Sequence, residues 1–213
     1  MELSYSHRFI FIHVYRAGGN SVSAALSPYS TVPHRTLLAR VPLARRLAKR
    51  QLYSLRGYNY GHIKARELKA ALPPDVFDTF FKFTFVRNPW DWQVSIYHYI
   101  RQRIDHPEHA LFKSLRTFDE YLDWRINIKG AELQSEFVLS ESGDMLVDFV
   151  GRYETLADDF DAVCDRIGIE CALPHINRSR HGDFREYYTP ETRALVEEVY
   201  KADIELFGYR FDL

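Results

Sequence analysis

The chain has 213 residues and 46% of them are hydrophobic, enough for one domain with a true core. The composition excludes a disordered chain, a collagen-like repeat and a small disulfide-stapled scaffold, and no apolar run approaches the ~20 residues of a membrane span. Net charge is only −1, yet residues 1–66 carry eleven Lys or Arg against one acid, a net of +10, while the rest of the chain carries −11. Either the N-terminal part faces something anionic, or the two halves neutralise each other across the fold. The opening Met1-Glu2-Leu3-Ser4 has neither the basic nor the apolar region of a signal peptide, and there are only two cysteines, Cys164 and Cys171. Both features fit a reducing, cytoplasmic setting with two ordinary thiols, and a disulfide between them is the lesser alternative.

No repeat or linker divides the chain, so residues 1–213 read as one domain. Arg8 to Tyr15 is a short aromatic and β-branched run that predicts a buried strand. A glycine turn follows, then a helix over Asn20 to Leu26 with Asn20 or Ser21 as cap. Residues 28 to 60 combine prolines with the basic cluster Arg40, Arg45, Arg46, Lys49 and Arg50, part solvated helix and part loop. Ile63 to Leu72 is a second helix, ended by Pro73-Pro74. Phe81 to Val86 is a second strand, and Asn88 caps a helix from Pro89 to Ile104 whose Val94, Tyr97 and Ile104 share one face. Met145 to Tyr153 is a third strand, Leu156 to Ile167 a further helix, and Pro190 to Leu206 the last. Strands alternating with helices predict an α/β fold with a mainly parallel sheet.

Two strand ends carry chemistry. In Tyr15-Arg16-Ala17-Gly18-Gly19-Asn20-Ser21, the two glycines let successive N–H groups and a helix N-terminus converge on one anion. Arg16 adds a positive charge and Ser21 a hydroxyl donor, a kit suited to a phosphate or sulfuryl group. The spacing is not that of a Walker A loop. In the second segment, Val86-Arg87-Asn88-Pro89-Trp90-Asp91-Trp92-Gln93-Val94-Ser95, Arg87 sits at the C-terminal end of a strand, where open α/β sheets bind ligands. Ser95, two turns into the following helix, is placed to share a second anion with it.

Together these segments resemble the PAPS-dependent sulfotransferases, in particular the carbohydrate branch that includes heparan and chondroitin enzymes. The second segment matches that family's V-R-N-P-x-D-x-x-V-S pattern from Val86 to Ser95. The first is looser, with Tyr15, Arg16, Ala17 and Asn20 where the family has Pro, Lys, Thr and Thr. Likeness continues through Val147 to Glu154 and the tail Asp203 to Tyr209.

The resemblance implies a P-loop-like three-layer α/β/α sandwich that binds 3′-phosphoadenosine 5′-phosphosulfate (PAPS) and needs no metal. It implies that Arg16, Ala17, Gly18, Gly19, Asn20 and Ser21 cradle the 5′-phosphosulfate, with Arg16 also acting in catalysis. Arg87 and Ser95 would hold the 3′-phosphate, and Tyr153 would contact the adenine. The Gly61-His62 pair, in Tyr60-Gly61-His62-Ile63, resembles the position of the catalytic histidine in glycosaminoglycan-modifying relatives, which makes His62 the candidate base. A histidine, with an ordinary pKa of ~6.5, can take the acceptor's proton near neutrality. His13 is the competing histidine, with a structural or supporting place on the first strand, and the polar loop Asn177 to Gly182 is placed either to close over the nucleotide or to remain a plain surface loop. The implied acceptor is a hydroxyl, of a carbohydrate that the basic stretch Arg35 to Arg56 would suit if anionic. The alternative is a non-catalytic protein that binds PAPS, or its product PAP, on the same fold. A nucleic-acid binder is the remaining rival, and no nucleic-acid module supports it.

Overall fold

The computed structural model describes residues 1–30, 61–174 and 181–212. The basic cluster Arg40 to Arg50, the wider stretch Arg35 to Arg56 and most of the loop Asn177 to Gly182 lie outside the described residues. In chain order the elements are β1 (Glu2–Ser4), β2 (Phe9–Ile12), α1 (Gly19–Leu26), α2 (Ala65–Ala71), α3 (Pro74–Thr79), β3 (Phe81–Val86) and α4 (Pro89–Gln102). There follow α5 (His109–Ser114), α6 (Phe118–Asp123), a π-helical turn (Trp124–Ile128), β4 (Phe149–Arg152), α7 (Leu156–Ile167), α8 (Pro190–Val199) and α9 (Lys201–Phe207). They form two compact units, Met1–Val86 with Glu136–Ile176, and Arg87–Ser135 with Asn177–Leu213.

The first unit holds a four-stranded sheet in the order β1-β2-β3-β4. β2, β3 and β4 run parallel and β1 is antiparallel to β2, which makes this a mainly parallel α/β sheet. Phe9 stands opposite Phe81, and Phe83 opposite Phe149, so the odd residues of β2 and β3 share one face. That face is aromatic, with Phe11 and Phe83 stacked at 5.3 Å and Phe85 near Phe160 of α7 at 6.5 Å. Val22, Ala25 and Leu26 of α1 and Phe160, Val163 and Ile167 of α7 close over it as one core. On the other face Lys82, almost fully buried, lies 5.4 Å from the Phe77 ring of α3 and pairs with Asp148 at 2.9 Å. A lysine is tolerated there because the carboxylate and the Phe80 carbonyl, 2.9 Å away, satisfy its ammonium.

The second unit is helical. Asn88 caps α4 as the sequence predicts, its Oδ1 accepting the Trp90 N–H at 3.1 Å, and Pro89 fills the first helical position. Trp92, fully buried on α4, meets Tyr200 edge to face at 6.2 Å. The Asp203 carboxylate of α9, with no exposure, accepts the backbone N–H groups of Gln134 and Ser135 at 2.7 and 2.8 Å.

Several predicted boundaries move. The first strand is shorter than Arg8 to Tyr15, and only Phe9–Ile12 finds parallel partners on β3. α1 is capped neither by Asn20 nor by Ser21 but by Gly18 in the left-handed region, whose carbonyl accepts the Ser21 and Val22 N–H groups. Pro73-Pro74 ends one helix as expected, yet Pro74 also opens α3, since proline suits a first helical turn. The third strand narrows to β4, with Met145 in an isolated bridge to Leu139. The last helix breaks at Tyr200 into α8 and α9. Ile104 lies beyond the end of α4 and is 84% exposed, so it shares no buried face with Val94 and Tyr97.

Phe83 has no exposure and stacks on Phe11 and Phe81. Phe83→Ala is expected to cost about 3–5 kcal/mol of unfolding free energy, read from the midpoint of a urea titration.

Candidate active site

The turn that joins β2 to α1 bends twice through the left-handed region, at Arg16 (φ +62°) and Gly18 (φ +81°). For Gly18 this is inexpensive, but for Arg16 it costs about 1–2 kcal/mol, a strain typical of functional loops. Packing adds a second requirement. A Cβ at Gly19 would lie 2.0 Å from the His13 ring, and one at Gly18 would lie 2.5 Å from Leu156 Cδ2 and 3.4 Å from Tyr153 Cδ2. The backbone of the turn is therefore pressed between His13 on one side and Leu156 and Tyr153 on the other. Its N–H groups enter α1 at the positive end of the helix dipole.

The predicted residues of this region gather as follows. Ala17, Gly19 and Ser21 are buried, Arg16 and Gly18 are half-buried, and Asn20 is exposed. Tyr153 is half-buried beside Gly18, held by its N–H donating to the Val86 carbonyl at 2.7 Å.

His62 comes to the same strand end from 49 residues away. Its Nδ1 lies 3.1 Å from the His13 carbonyl oxygen, which can only accept, so Nδ1 carries the hydrogen. In the neutral ring the lone pair is then on Nε2, the arrangement of an oriented general base. The His62 ring meets His13 at 4.8 Å and Tyr15 at 5.7 Å, both edge to face. Lys64, two residues on, pairs with Glu136 and lies 5.5 Å from the Phe137 ring, which in turn packs on Tyr15. The sequence names His13 as the competing histidine, with a structural or supporting place on the strand. Its carbonyl anchors His62 and its ring fixes Gly19, a double contact that no local pattern reveals.

In the second unit Arg87 is 2% exposed and held from several sides. Its N–H donates to Gln134 Oε1 at 2.9 Å, and Gln134 Nε2 donates back to its carbonyl at 2.7 Å. Its Nε donates to Asp91 Oδ2 at 2.6 Å, one helical turn on. His181 accepts at Nε2 from the Arg87 guanidinium at 3.3 Å, with Nδ1–H donating to the Gly182 carbonyl at 2.9 Å. Asp91, Gln134 and His181 were not singled out by the sequence, although Asp91 falls inside the matched motif. Ser95 is fully buried on α4. His98 stacks on His181 at 5.6 Å and meets the Tyr187 hydroxyl at 2.8 Å. Burial, with His181 and Arg101 nearby, holds the His98 imidazole below its ordinary pKa. Among the described residues no group of three or more His, Cys, Asp or Glu is placed to hold a metal ion, and no helix is long and apolar enough to cross a membrane.

The sheet is a mainly parallel α/β sheet, and the glycine turn and His62 gather at the C-terminal end of β2, where such open sheets bind ligands. Residues 4–210 match the sulfotransferase family, and the chain belongs to that family. Among solved structures the fold is similar to that of mouse sulfotransferase SULT7A1 complexed with PAP. That likeness has a TM-score of 0.54 at 16% identity, over 94% of this chain and 86% of the mouse chain. No curated protein matches.

Two substitutions in the turn are expected to act in opposite directions. Gly19→Ala would press a methyl group into the His13 ring and lower stability by about 1–3 kcal/mol in thermal or urea unfolding. Arg16→Gly would release left-handed strain and leave stability unchanged or raised by up to about 1 kcal/mol in the same unfolding measurement.

Proposed function

We propose that this sulfotransferase moves a sulfuryl group from PAPS to a carbohydrate hydroxyl, with residues 1–213 acting as one catalytic domain. The observation that carries the reading is the anchoring of His62 on the His13 carbonyl, at the strand end where Gly18 and Gly19 form the anion turn. The acceptor oxygen attacks sulfur in line as His62 Nε2 takes its proton. The bond from sulfur to the bridging oxygen breaks, leaving a sulfate ester and adenosine 3′,5′-bisphosphate (PAP).

The backbone N–H groups of Ala17 to Ser21 are assigned the 5′-phosphosulfate. Arg16 offsets the charge that grows on the leaving phosphate, so no metal is required for that task. Arg87 and Ser95 are assigned the 3′-phosphate on the strength of the motif they share with the family. Arg87 suits an oxyanion because Asp91 orients its guanidinium through Nε, while Gln134 fixes the backbone that carries it. Tyr153, packed beside Gly18, is assigned the adenine. The likeness to the carbohydrate branch and the +10 charge of residues 1–66 support an anionic oligosaccharide as acceptor. A cytoplasmic location accompanies this reading.

Two measurements test it. PAP at about 100 times its Kd is expected to stabilise the fold by about 2.7 kcal/mol. Magnesium–ATP and adenosine 5′-monophosphate should give smaller shifts, and Arg87→Ala should lose the PAP shift relative to its own ligand-free baseline. Absence of a PAP shift in the wild type would overturn the donor assignment. Separately, His62→Ala is expected to lower kcat by about 10²–10⁴ with PAP binding retained. Near-wild-type turnover would remove His62 as the base, and PAP binding without transfer to any acceptor in a broad panel would assign the non-catalytic role.

A further inference from the structure

Cys164 lies in the last turn of α7, and Gly168 ends that helix in the left-handed conformation. The chain doubles back at once, with the Ile169 N–H donating to the Cys164 carbonyl at 3.0 Å. This reversal brings Cys171 beside Cys164, with their Sγ atoms 3.0 Å apart and both thiols free. Packing holds the pair from each side. Ile167 and Ile169 belong to the core under the sheet, and Cys171 and Leu173 pack against it. The Tyr29 hydroxyl donates to the Glu170 carbonyl at 2.8 Å, one residue before Cys171. A disulfide has an S–S length of ~2.05 Å, so the two sulfurs need to approach by only about 1 Å.

We propose that Cys164 and Cys171 form a reversible dithiol–disulfide site, oxidised by a small-molecule disulfide of the glutathione type. Cys171, half-buried where Cys164 is buried, meets the oxidant first. Its thiolate attacks one sulfur of the glutathione disulfide, forming a mixed disulfide and releasing one glutathione thiolate. Cys164 Sγ then attacks Cys171 Sγ, the mixed disulfide breaks, and the second glutathione departs with the Cys164 proton. Two protein thiols and one glutathione disulfide thus become one protein disulfide and two glutathione thiols. Burial, the Cys171 contact and the neighbouring Asp161 and Asp165 push the Cys164 thiol up to about 12. Cys164 therefore serves as the resolving thiol, and the second step is the slower one near neutral pH. The site stands apart from the sulfuryl-transfer reading and does not depend on it.

The test treats the full-length chain with glutathione disulfide and follows intact mass and thiol titration. The expected product has lost two hydrogens, shows no titratable thiol even in denaturant, and unfolds about 5 °C higher than the reduced chain. Dithiothreitol should restore both thiols and the lower midpoint. Cys164→Ala should stop at a stable glutathione adduct on Cys171, whereas Cys171→Ala should react far more slowly. Recovery of the wild type with both thiols intact, or as a lasting glutathione adduct, would overturn the proposal. Because the decisive readout is made on the wild-type chain, it stands even if a variant fails to fold.

Discussion

A side chain at residue 19 has no place to go, because the His13 ring already occupies the space where its Cβ would stand. That exclusion sets the path of the chain out of β2. It forces the backbone of Gly18 and Gly19 against the strand end, and α1 then starts where its Val22, Ala25 and Leu26 reach the aromatic face of the sheet. The same His13 supplies, through its carbonyl, the acceptor that fixes the His62 tautomer. One buried histidine on the first long strand thus aligns the anion turn, the first helix and the candidate base, and none of the three can shift without disturbing the others.

In the second unit the organising problem is a buried charge. Arg87 leaves water almost completely, and an isolated guanidinium there would be strongly unfavourable. Asp91 balances it through Nε, while Gln134 closes a reciprocal pair of hydrogen bonds with its backbone. Gln134 is in turn held by Asp203 of α9, so the orientation of the arginine is fixed by residues on three separate stretches of chain. Removal of Asp91 would leave the cation unbalanced at a cost of about 3–5 kcal/mol, which ties stability to the group assigned to the ligand.

The parts legible in the sequence are those governed by near neighbours. Phe81 to Val86 alternates aromatic and polar residues and forms β3 over those six residues; Asn88-Pro89 carries its own cap and first-turn signal; and Leu156 to Ile167 has one apolar stripe and a glycine after it. β1 was not legible, because three residues of no marked pattern become a strand only by pairing with β2. The caps of α1 were misread because Asn20 and Ser21 favour that role by side chain, whereas the tight turn hands it to the Gly18 carbonyl. In the candidate site, Gly18, Gly19, Arg87 and His62 were singled out from motif and spacing. Gln134 and His181 were not, since each acts across 47 residues or more of intervening chain.

The parallel pairing of the sheet has a consequence for how the protein is made. Thr84 of β3 donates its hydroxyl to the Ile12 carbonyl of β2 across 72 residues, and the Lys82 N–H reaches Asp148, at the approach to β4, across 66. Among the described strands only β1 and β2 pair locally; β3 joins β2 once the chain has passed residue 86, and β4 completes the sheet only after residue 152. Until then Phe9, Phe11, Phe81, Phe83 and Phe85 are an unpaired aromatic load on a growing polypeptide, with the slow loop closures of a high-contact-order topology ahead of them. The architecture that places a ligand turn at one strand end therefore carries a folding cost, since its aromatic strands must stay apart from one another until their distant partners arrive.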